Sequence, residues 1–254
     1  MARDIDKNAL IQHKTIALQA FENYMDSLIF SSNSHLQRKA DKLSYWLEDW
    51  AKFLAFESEF SPTSLRRYNR GEIIKLHLGF NIGSEEGGLH YAVVLDKNNS
   101  LHSPVVTVAP LTSVKSYTDV NKLHRGSVFL GNELFTSFSA KITSLQHLTD
   151  VERKKLSAIA GDYKHILSVP DSKIDEITSR LDFLEQKCDL LTKAKKEFSK
   201  MKTGSIALVG QIRTISKIRI YDPKTNFDIL SNMKLSSEKL DLIDREIIKL
   251  YTRQ

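Results

Sequence analysis

The sequence has few of the residues that form cross-links and sharp turns. It contains one cysteine, Cys188, with 5 prolines and 10 glycines among 254 residues. A single cysteine excludes an intrachain disulfide and zinc sites built from Cys-x-x-Cys pairs. A chain of this length buries enough surface to form a core without such cross-links. We therefore expect a globular protein held together by packing.

Long apolar runs are also missing. No window approaches the roughly 18 apolar residues of a membrane span, so we expect no membrane partner. The first 14 residues hold acids and lysine where a signal peptide needs an apolar run, which favours a cytoplasmic location. The 37 Lys and Arg against 31 Asp and Glu leave a net charge of +6. This excess fits an ordinary surface as well as a nucleic-acid-binding one.

Residues 1–60 contain neither glycine nor proline and carry two periodic sets of apolar residues. Spacings of mostly three, four or seven place each set on one face of a helix. We predict two antiparallel helices joined near Ser31–Ser34, with a Ser or Asn cap on the second. Pro62 disfavours helical geometry at Ser61, so this N-terminal helical hairpin ends there as a first domain.

A second domain over residues 66–254 combines strands and helices. Short β-rich segments between Tyr68 and Leu130 predict a small barrel or a strongly bent sheet. Helical periodicity from about Leu148 to Lys200 predicts a helical hairpin inserted over residues 148–202. Gly204–Ile220 then alternates as a strand, and Ser236–Tyr251 forms a C-terminal helix capped by Ser236 or Ser237. The predicted fold class is α+β.

The β-rich segments contain five short motifs in a fixed order. They are Arg70-Gly71-Glu72-Ile73, Gly83-Ser84-Glu85-Glu86-Gly87-Gly88, Tyr91-Ala92-Val93-Val94-Leu95, Val108-Ala109-Pro110-Leu111-Thr112-Ser113 and Gln211-Ile212-Arg213-Thr214-Ile215. In this order they resemble the PemK/MazF family of toxin endoribonucleases, over roughly Arg70–Leu130 and Gly204–Gln254. The resemblance implies an SH3-like barrel core of the CcdB and PemK type, a homodimer and a cognate antitoxin as partner.

The resemblance also implies an activity, the cleavage of single-stranded RNA without a metal or other cofactor. In this reaction the RNA 2′-hydroxyl attacks its own phosphate, which leaves a 2′,3′-cyclic phosphate and a 5′-hydroxyl. A base must take the 2′-hydroxyl proton, an acid must protonate the leaving oxygen, and a donor or cation must hold the phosphorane charge.

Two residues occupy the positions of the family's catalytic pair. Thr112 matches the catalytic threonine, whereas His90 stands where the family has arginine. Because histidine exchanges protons near neutral pH and arginine does not, we predict that His90 is catalytic. The alternative is that the His90 ring fills the groove between barrel and loop, with activity lost.

A further group of residues is predicted to contact RNA through the same resemblance. Its members are Ser84, Gly87, Gly88, Ser113, Gln211 and Arg213. Arg213 offers a planar fork for a phosphate, or alternatively an ion pair with Glu72 or Asp222. The basic cluster Lys193–Lys196 either extends an RNA path or lies on a solvated helix face.

Two other functions remain open at the level of sequence. The missing arginine motivates an inactive or protein-targeting binding module of the same fold, similar to the gyrase-poisoning relatives. A helical unit could instead serve as a built-in antitoxin or a docking arm for a partner, although the N-terminal helices are not notably acidic.

Overall fold

The computed structural model describes residues 6–163 and 170–253 and divides the chain into two compact units. One unit contains the N-terminal helices, through Glu59, together with Gly79–Gly88. The other contains Phe60–Leu78 and the described residues from Leu89 onwards. This grouping places Gly79–Gly88, which the sequence assigned to the domain over residues 66–254, with the N-terminal helices.

The first unit contains the two helices that the apolar periodicity predicted, α1 (Lys7–Ile29) and α2 (Ser34–Phe56). Asn33 caps α2, because its side-chain oxygen accepts the His35 N–H at 2.8 Å. Such a cap satisfies one of the backbone donors that a helix start leaves unpaired. The buried hydrophobic side chains of the two helices are Leu28, Ala40 and Leu43.

The second unit is built on one antiparallel sheet of seven strands. The strands are β1 (Ile73–His77), β2 (Leu89–Val94), β3 (Val105–Ser113), β4 (Ser127–Gly131), β5 (Ser205–Leu208), β6 (Arg213–Ser216) and β7 (Ile220–Asp222). Their order is β4-β5-β3-β2-β1-β7, and β6 pairs with the first half of β3. The second half of β3 pairs with β5. Helices and an antiparallel sheet together make the fold α+β, as predicted.

Both faces of the sheet are covered by hydrophobic residues. Val93 belongs to one buried cluster, whereas its neighbours Ala92 and Val94 belong to another. Successive side chains of a strand point to opposite faces, so the two clusters lie on opposite sides of the sheet. All three residues are fully buried. Burial on both faces therefore explains why this strand is a near-continuous apolar run and does not alternate.

The helices α3 (Glu133–Asp162) and α4 (Asp171–Phe198) lie between β4 and β5 in the sequence, although these two strands pair in the sheet. The predicted start of the helical segment near Leu148 is wrong, because α3 begins at Glu133. The first turns of α3 contain serine, threonine and phenylalanine, which have low helix propensity, so the sequence did not indicate a helix there. Their apolar residues nevertheless recur at helical spacing. The ones that pack into the core are Leu134, Phe138, Ile142 and Leu145. Residues 164–169, including part of the predicted turn before Pro170, lie outside the described residues.

Gly204–Ile220 does not form the single strand that its alternation predicted. Short 3-10 turns at Val209–Gln211 and Lys217–Arg219 divide the segment. As a result β5 pairs with β4 and the second half of β3, β6 pairs with the first half of β3, and β7 pairs with β1. Gly210 lies in the first turn and donates its N–H to the carbonyl of Gly126 at 2.9 Å. The break therefore lets one sequence segment supply three positions of a bent sheet.

The last helix, α5 (Ser237–Tyr251), is confirmed with the predicted cap, since Ser236 Oγ accepts the Lys239 N–H at 3.4 Å. Ile243 is its fully buried residue. An ion pair between Arg70 and Asp244 and a hydrogen bond from the Tyr251 hydroxyl to the Val209 carbonyl fix the helix on the sheet unit. No helix in the described part of the chain is long and apolar enough for a bilayer span.

Candidate active site

A cleft of about 210 Å³ opens where β2 begins and β3 ends. The strands β1, β2, β3 and β5, the start of α3 and the segment after α4 all contribute side chains to it. The lining residues are Lys75, Leu89, His90, Tyr91, Leu111, Thr112, Ser113, Lys115, Leu134, Lys200, Met201, Lys202 and Ser205. Three of the predicted site residues, His90, Thr112 and Ser113, therefore lie together.

Strand pairing brings His90 and Thr112 next to each other. Tyr91 on β2 pairs with Leu111 on β3, so one further step of the antiparallel register places His90 opposite Thr112. Opposite residues of an antiparallel pair point to the same face, with Cβ atoms about 4.5–5.5 Å apart. The two residues come from segments 22 positions apart, and the sheet alone makes them neighbours.

The ring of His90 is half-buried and oriented by the backbone of β3. Its Nδ1 atom lies 3.3 Å from the carbonyl oxygen of Leu111. A carbonyl only accepts hydrogen bonds, so the neutral ring donates from Nδ1 and carries its lone pair on Nε2. Nε2 is thus the atom that can accept a proton from a substrate.

Two residues that line the cleft, Lys75 and Tyr91, share one hydrogen-bond acceptor. The Lys75 ammonium and the Tyr91 hydroxyl both donate to Glu197 Oε1 near the end of α4, the second at 2.6 Å. The side chains of Lys75 and Glu197 are only 19% and 17% exposed. Glu197 therefore neutralises Lys75 and fixes the Tyr91 ring at the edge of the cleft.

The electrostatics of this group follow from burial and hydrogen bonding. Burial, reinforced by the hydrogen bond to Glu197, raises the pKa of the Tyr91 phenol. Burial on its own would raise the pKa of Glu197, but hydrogen bonds from Lys75 and Tyr91 and the nearby charge of Lys200 hold that pKa below its ordinary value. The phenol thus stays a donor and the carboxylate stays charged at neutral pH.

The remaining charges of the cleft are positive. Lys115 follows β3, and Lys200 and Lys202 follow α4; all three are exposed. No aspartate or glutamate is among the described residues that line the cleft. A cleft whose charged side chains are all positive attracts an anionic ligand such as a phosphate.

The glycine-rich loop, Gly79–Gly88, belongs to the first unit, and a hydrogen bond joins its two ends. Gly88 donates its N–H to the carbonyl of Gly79 at 2.7 Å with a φ of 84°, a conformation that favours glycine. A Cβ atom on Gly87 would lie 2.9 Å from the same carbonyl oxygen. The predicted RNA contacts Gly87 and Gly88 thus have structural reasons to be glycine, and Ser84 is exposed in this loop.

The other two predicted RNA contacts lie away from the cleft. Neither Gln211 nor Arg213 is among the described lining residues. Arg213 pairs with Val108, four residues before Thr112 and so about 13 Å away along β3. The acids considered as its ion-pair partners have other contacts, since Glu72 pairs with Arg66 at 2.9 Å and Asp222 Oδ1 accepts the Leu230 N–H. Arg213 instead lies near Arg219, and its charge, after burial, lowers the pKa of that guanidinium.

The charged and aromatic residues of the cleft that were not predicted from the sequence are Lys75, Tyr91, Lys115, Lys200 and Lys202, together with Glu197, which accepts hydrogen bonds from two of them. Tyr91 stood inside a motif but was interpreted only as the start of a buried strand. The lysines after α4 continue a basic helix end, which in sequence looks like any solvated surface. Within the described residues, no group of three or more His, Cys, Asp or Glu side chains is arranged to hold a metal ion.

A comparison with known protein families matches the part of the chain that contains the first four motifs. Residues 69–184 match the family of PemK-like, MazF-like toxins of type II toxin-antitoxin systems. No curated protein sequence gives a match. The matched range begins before β1, contains His90 and Thr112, and ends inside α4, before Glu197, Lys200 and Lys202. Residues 69–184, just under half of the chain, are therefore similar to the PemK-like, MazF-like toxins of type II toxin-antitoxin systems.

Proposed function

We propose that this protein is an endoribonuclease toxin that cleaves single-stranded RNA without a metal and leaves 2′,3′-cyclic phosphate and 5′-hydroxyl ends. Toxins of this family are in general endoribonucleases. The observation that carries the proposal is the meeting of His90 and Thr112 in one cleft whose other charged lining residues are lysines. A proton-transfer group, a hydroxyl and cations are what the transesterification requires.

The reaction needs one proton to move from the 2′-oxygen to the 5′-oxygen. His90 Nε2 takes the proton of the 2′-hydroxyl, and the 2′-oxygen then attacks the phosphorus. The bond from phosphorus to the 5′-oxygen breaks, and the imidazolium returns its proton to that oxygen. The Thr112 hydroxyl donates to a non-bridging oxygen, where charge grows in the transition state. The substrate supplies its own nucleophile, so the protein chiefly orients it.

The finer features of the fold and the assembly belong to the same proposal. The sheet of the second unit would form the SH3-like barrel of the CcdB and PemK toxins, within a domain over residues 66–254 that carries the helical insertion. The N-terminal helical hairpin over residues 1–60 would be a separate domain. We further propose that the protein is a homodimer, that a cognate antitoxin binds it, and that it acts in the cytoplasm, where the RNA substrate is found.

The remaining RNA contacts are proposed on the resemblance of the motifs. Ser113 lines the cleft beside Thr112, and Ser84, Gly87 and Gly88 would meet the phosphate backbone through the glycine-rich loop. Gln211 and Arg213 would contact RNA farther along β3. The proximity of Arg213 to Arg219 supports such a path, because two neighbouring guanidinium groups favour an anionic partner.

Controlled expression in bacteria tests the proposal. We expect wild-type protein to arrest growth and fragment cellular RNA, and His90→Ala or Thr112→Ala to relieve both effects at equal protein levels. His102→Ala, in an exposed turn, is the matched control and should remain toxic. Full viability with wild-type protein expressed alone would contradict the proposal.

A second function, a binding module that poisons a protein target, is favoured by one observation. Position 90 holds histidine where the family pattern has arginine, so the fold could be kept while the nuclease is lost. Growth arrest with intact cellular RNA would support this alternative. Fragmented RNA that depends on His90 would contradict it.

A further inference from the structure

We infer that the segment after α4 is a phosphate-binding element of the cleft, in which Lys200 and Lys202 hold the RNA backbone beside His90 and Thr112. The inference rests on the proposed function and deepens it. Both lysines line the cleft, and both lie beyond the range that matches the toxin family. The helical insertion would thus contribute residues to the site in addition to its own packing.

The first support is that this segment is anchored on the core. The Phe198 ring lies 4.5 Å from that of Phe135 and 5.8 Å from that of Phe138, measured between centroids. Met201 packs against the same buried cluster, and its N–H donates to the Phe198 carbonyl at 3.0 Å. Two apolar anchors therefore flank Lys200 and precede Lys202, which fixes where both backbone positions lie.

The second support is the balance of charge around the cleft. Lys75 is neutralised by Glu197, so it adds little net charge to the site. In the state in which His90 Nε2 accepts a proton, the imidazole is neutral and cannot offset the phosphate charge. Lys200, Lys202 and Lys115 are exposed basic residues in the lining of the cleft. Cations are most useful where the phosphorane charge grows.

The third support is the connection of this segment to the catalytic strand. The Val114 N–H, directly after β3, donates to the Gly204 carbonyl at 3.0 Å. This hydrogen bond joins the end of the strand that carries Thr112 to the residue two positions after Lys202. Lys202 is therefore only two residues away from a backbone hydrogen bond to the end of the strand that carries Thr112.

The test is a comparison of two double variants with the same loss of charge. Lys200→Gln/Lys202→Gln changes the cleft, whereas Lys193→Gln/Lys196→Gln changes exposed positions of α4 that do not line it. The probe is a fluorescent single-stranded 2′-O-methyl RNA of mixed sequence, which binds but lacks the free 2′-hydroxyl needed for cleavage. Affinity is measured by anisotropy over a series of salt concentrations.

We expect the cleft variant to lower affinity by about tenfold and to reduce the slope of log affinity against log salt by about 1.4, two phosphate contacts at about 0.7 each. The control variant should change the slope by less than half of that. Lys200→Arg/Lys202→Arg should retain binding, because it keeps the charge. All variants should unfold at the wild-type temperature, since the substituted side chains are exposed.

The outcomes separate this inference from the proposed function. Equal losses in the two Gln variants, or no loss in either, would overturn the role of Lys200 and Lys202 while wild-type cleavage of ordinary RNA still stood. A wild-type protein that neither binds the probe nor cleaves RNA would overturn both. Binding that depends on the lysine pair without cleavage would support the inference and count against the nuclease.

Discussion

The residues of the cleft differ in what they can contribute to a reaction. His90 can exchange a proton, Thr112 can only donate or accept a hydrogen bond, and the lysines supply charge. Because these contributions are chemically distinct, substitutions that preserve shape but remove one function can separate them. Thr112 is the clearest case, since valine has nearly the same shape without the hydroxyl.

We predict that Thr112→Val lowers RNA cleavage by about 100-fold, the effect of removing one donor to a developing oxyanion. Thr112→Ser keeps the hydroxyl and should retain most of the activity. The measurement is the cleavage rate of a labelled single-stranded RNA under single-turnover conditions. Equal rates for the serine and valine variants would show that the hydroxyl takes no part in the chemistry.

Gly204 is a residue whose lack of a side chain is required by its position. Its φ is 79°, and a Cβ atom there would lie 2.8 Å from Val114 Cγ2. We predict that Gly204→Ala destabilises the protein by about 1–3 kcal/mol, the cost of a left-handed conformation with a close contact. Urea unfolding followed by circular dichroism measures the change.

Gly161 provides the matched control for the same substitution. It lies in α3, and a Cβ atom added there would meet nothing within 4 Å. Gly161→Ala should stabilise the protein by about 0.5–1 kcal/mol, because alanine loses less backbone entropy in a helix. Destabilisation by both substitutions to a similar extent would contradict this account of Gly204.

At the level of secondary structure, periodicity predicted the elements and packing decided their limits. The helices α1, α2 and α5 and the strands β1 to β4 follow from apolar spacing and caps that are local in sequence. The early start of α3 and the division of Gly204–Ile220 depend on contacts with distant elements. The residues at the start of α3 have low helix propensity, so they do not predict a helix there. The regular alternation of apolar residues in Gly204–Ile220 gives no sign of the two 3-10 turns that divide it.

The residues of the candidate site also divide into those that stand in sequence motifs and those that only tertiary packing brings to the cleft. His90, Thr112 and Ser113 were predictable because they stand in motifs, and the pairing of β2 with β3 brings them together. Lys200 and Lys202 in the cleft, and Glu197 beside it, were not predictable, because their positions depend on how α4 returns to the sheet. An isolated acidic or basic residue on an amphipathic helix carries no sign of such a contact.

Glu197 connects α4 with β1 and β2, so its substitution tests how the helix is held. We predict that Glu197→Gln destabilises the protein by about 1.5–3 kcal/mol at pH 7, since Lys75 and Tyr91 lose a charged acceptor. Glu185→Gln, at an exposed position of the same helix, should change stability by less than about 0.5 kcal/mol. Urea unfolding of the three proteins provides the comparison.

The pH dependence of this difference has a defined sign. The pKa of Glu197 is lowered in the folded protein, so the unfolded chain binds more protons below the ordinary glutamate value of about 4.3. The stabilisation is complete above that value and is lost as the pH falls through the folded pKa. The difference in free energy of unfolding between wild type and Glu197→Gln should therefore become smaller as the pH falls below about 4.3. A difference that is constant down to about pH 3 would contradict the ion pair.

At the level of the whole molecule, the two units differ greatly in the size of their cores. In the first unit, the described buried hydrophobic residues are Leu28, Ala40 and Leu43, whereas the second unit has two extensive clusters. Both tryptophans, Trp46 and Trp50, lie in α2 of the first unit. Tryptophan fluorescence therefore reports on the first unit alone, and circular dichroism reports on both.

We predict that the two signals follow different urea transitions, with the fluorescence change at lower urea concentration. A unit with few buried apolar residues has less hydrophobic stabilisation to oppose the loss of chain entropy. Two units that unfold separately also violate two-state behaviour. Transitions that coincide by both probes would show instead that the chain unfolds as one cooperative body.

The central claim is that the cleft at His90 and Thr112 cleaves RNA by transesterification. Its most direct test is the incubation of purified wild-type and His90→Ala protein with single-stranded RNA of varied sequence in EDTA, followed by analysis of the product ends. We predict 2′,3′-cyclic phosphate and 5′-hydroxyl ends from the wild-type protein and intact RNA from the variant. Intact RNA with wild-type protein, or equal cleavage by both, would contradict the claim.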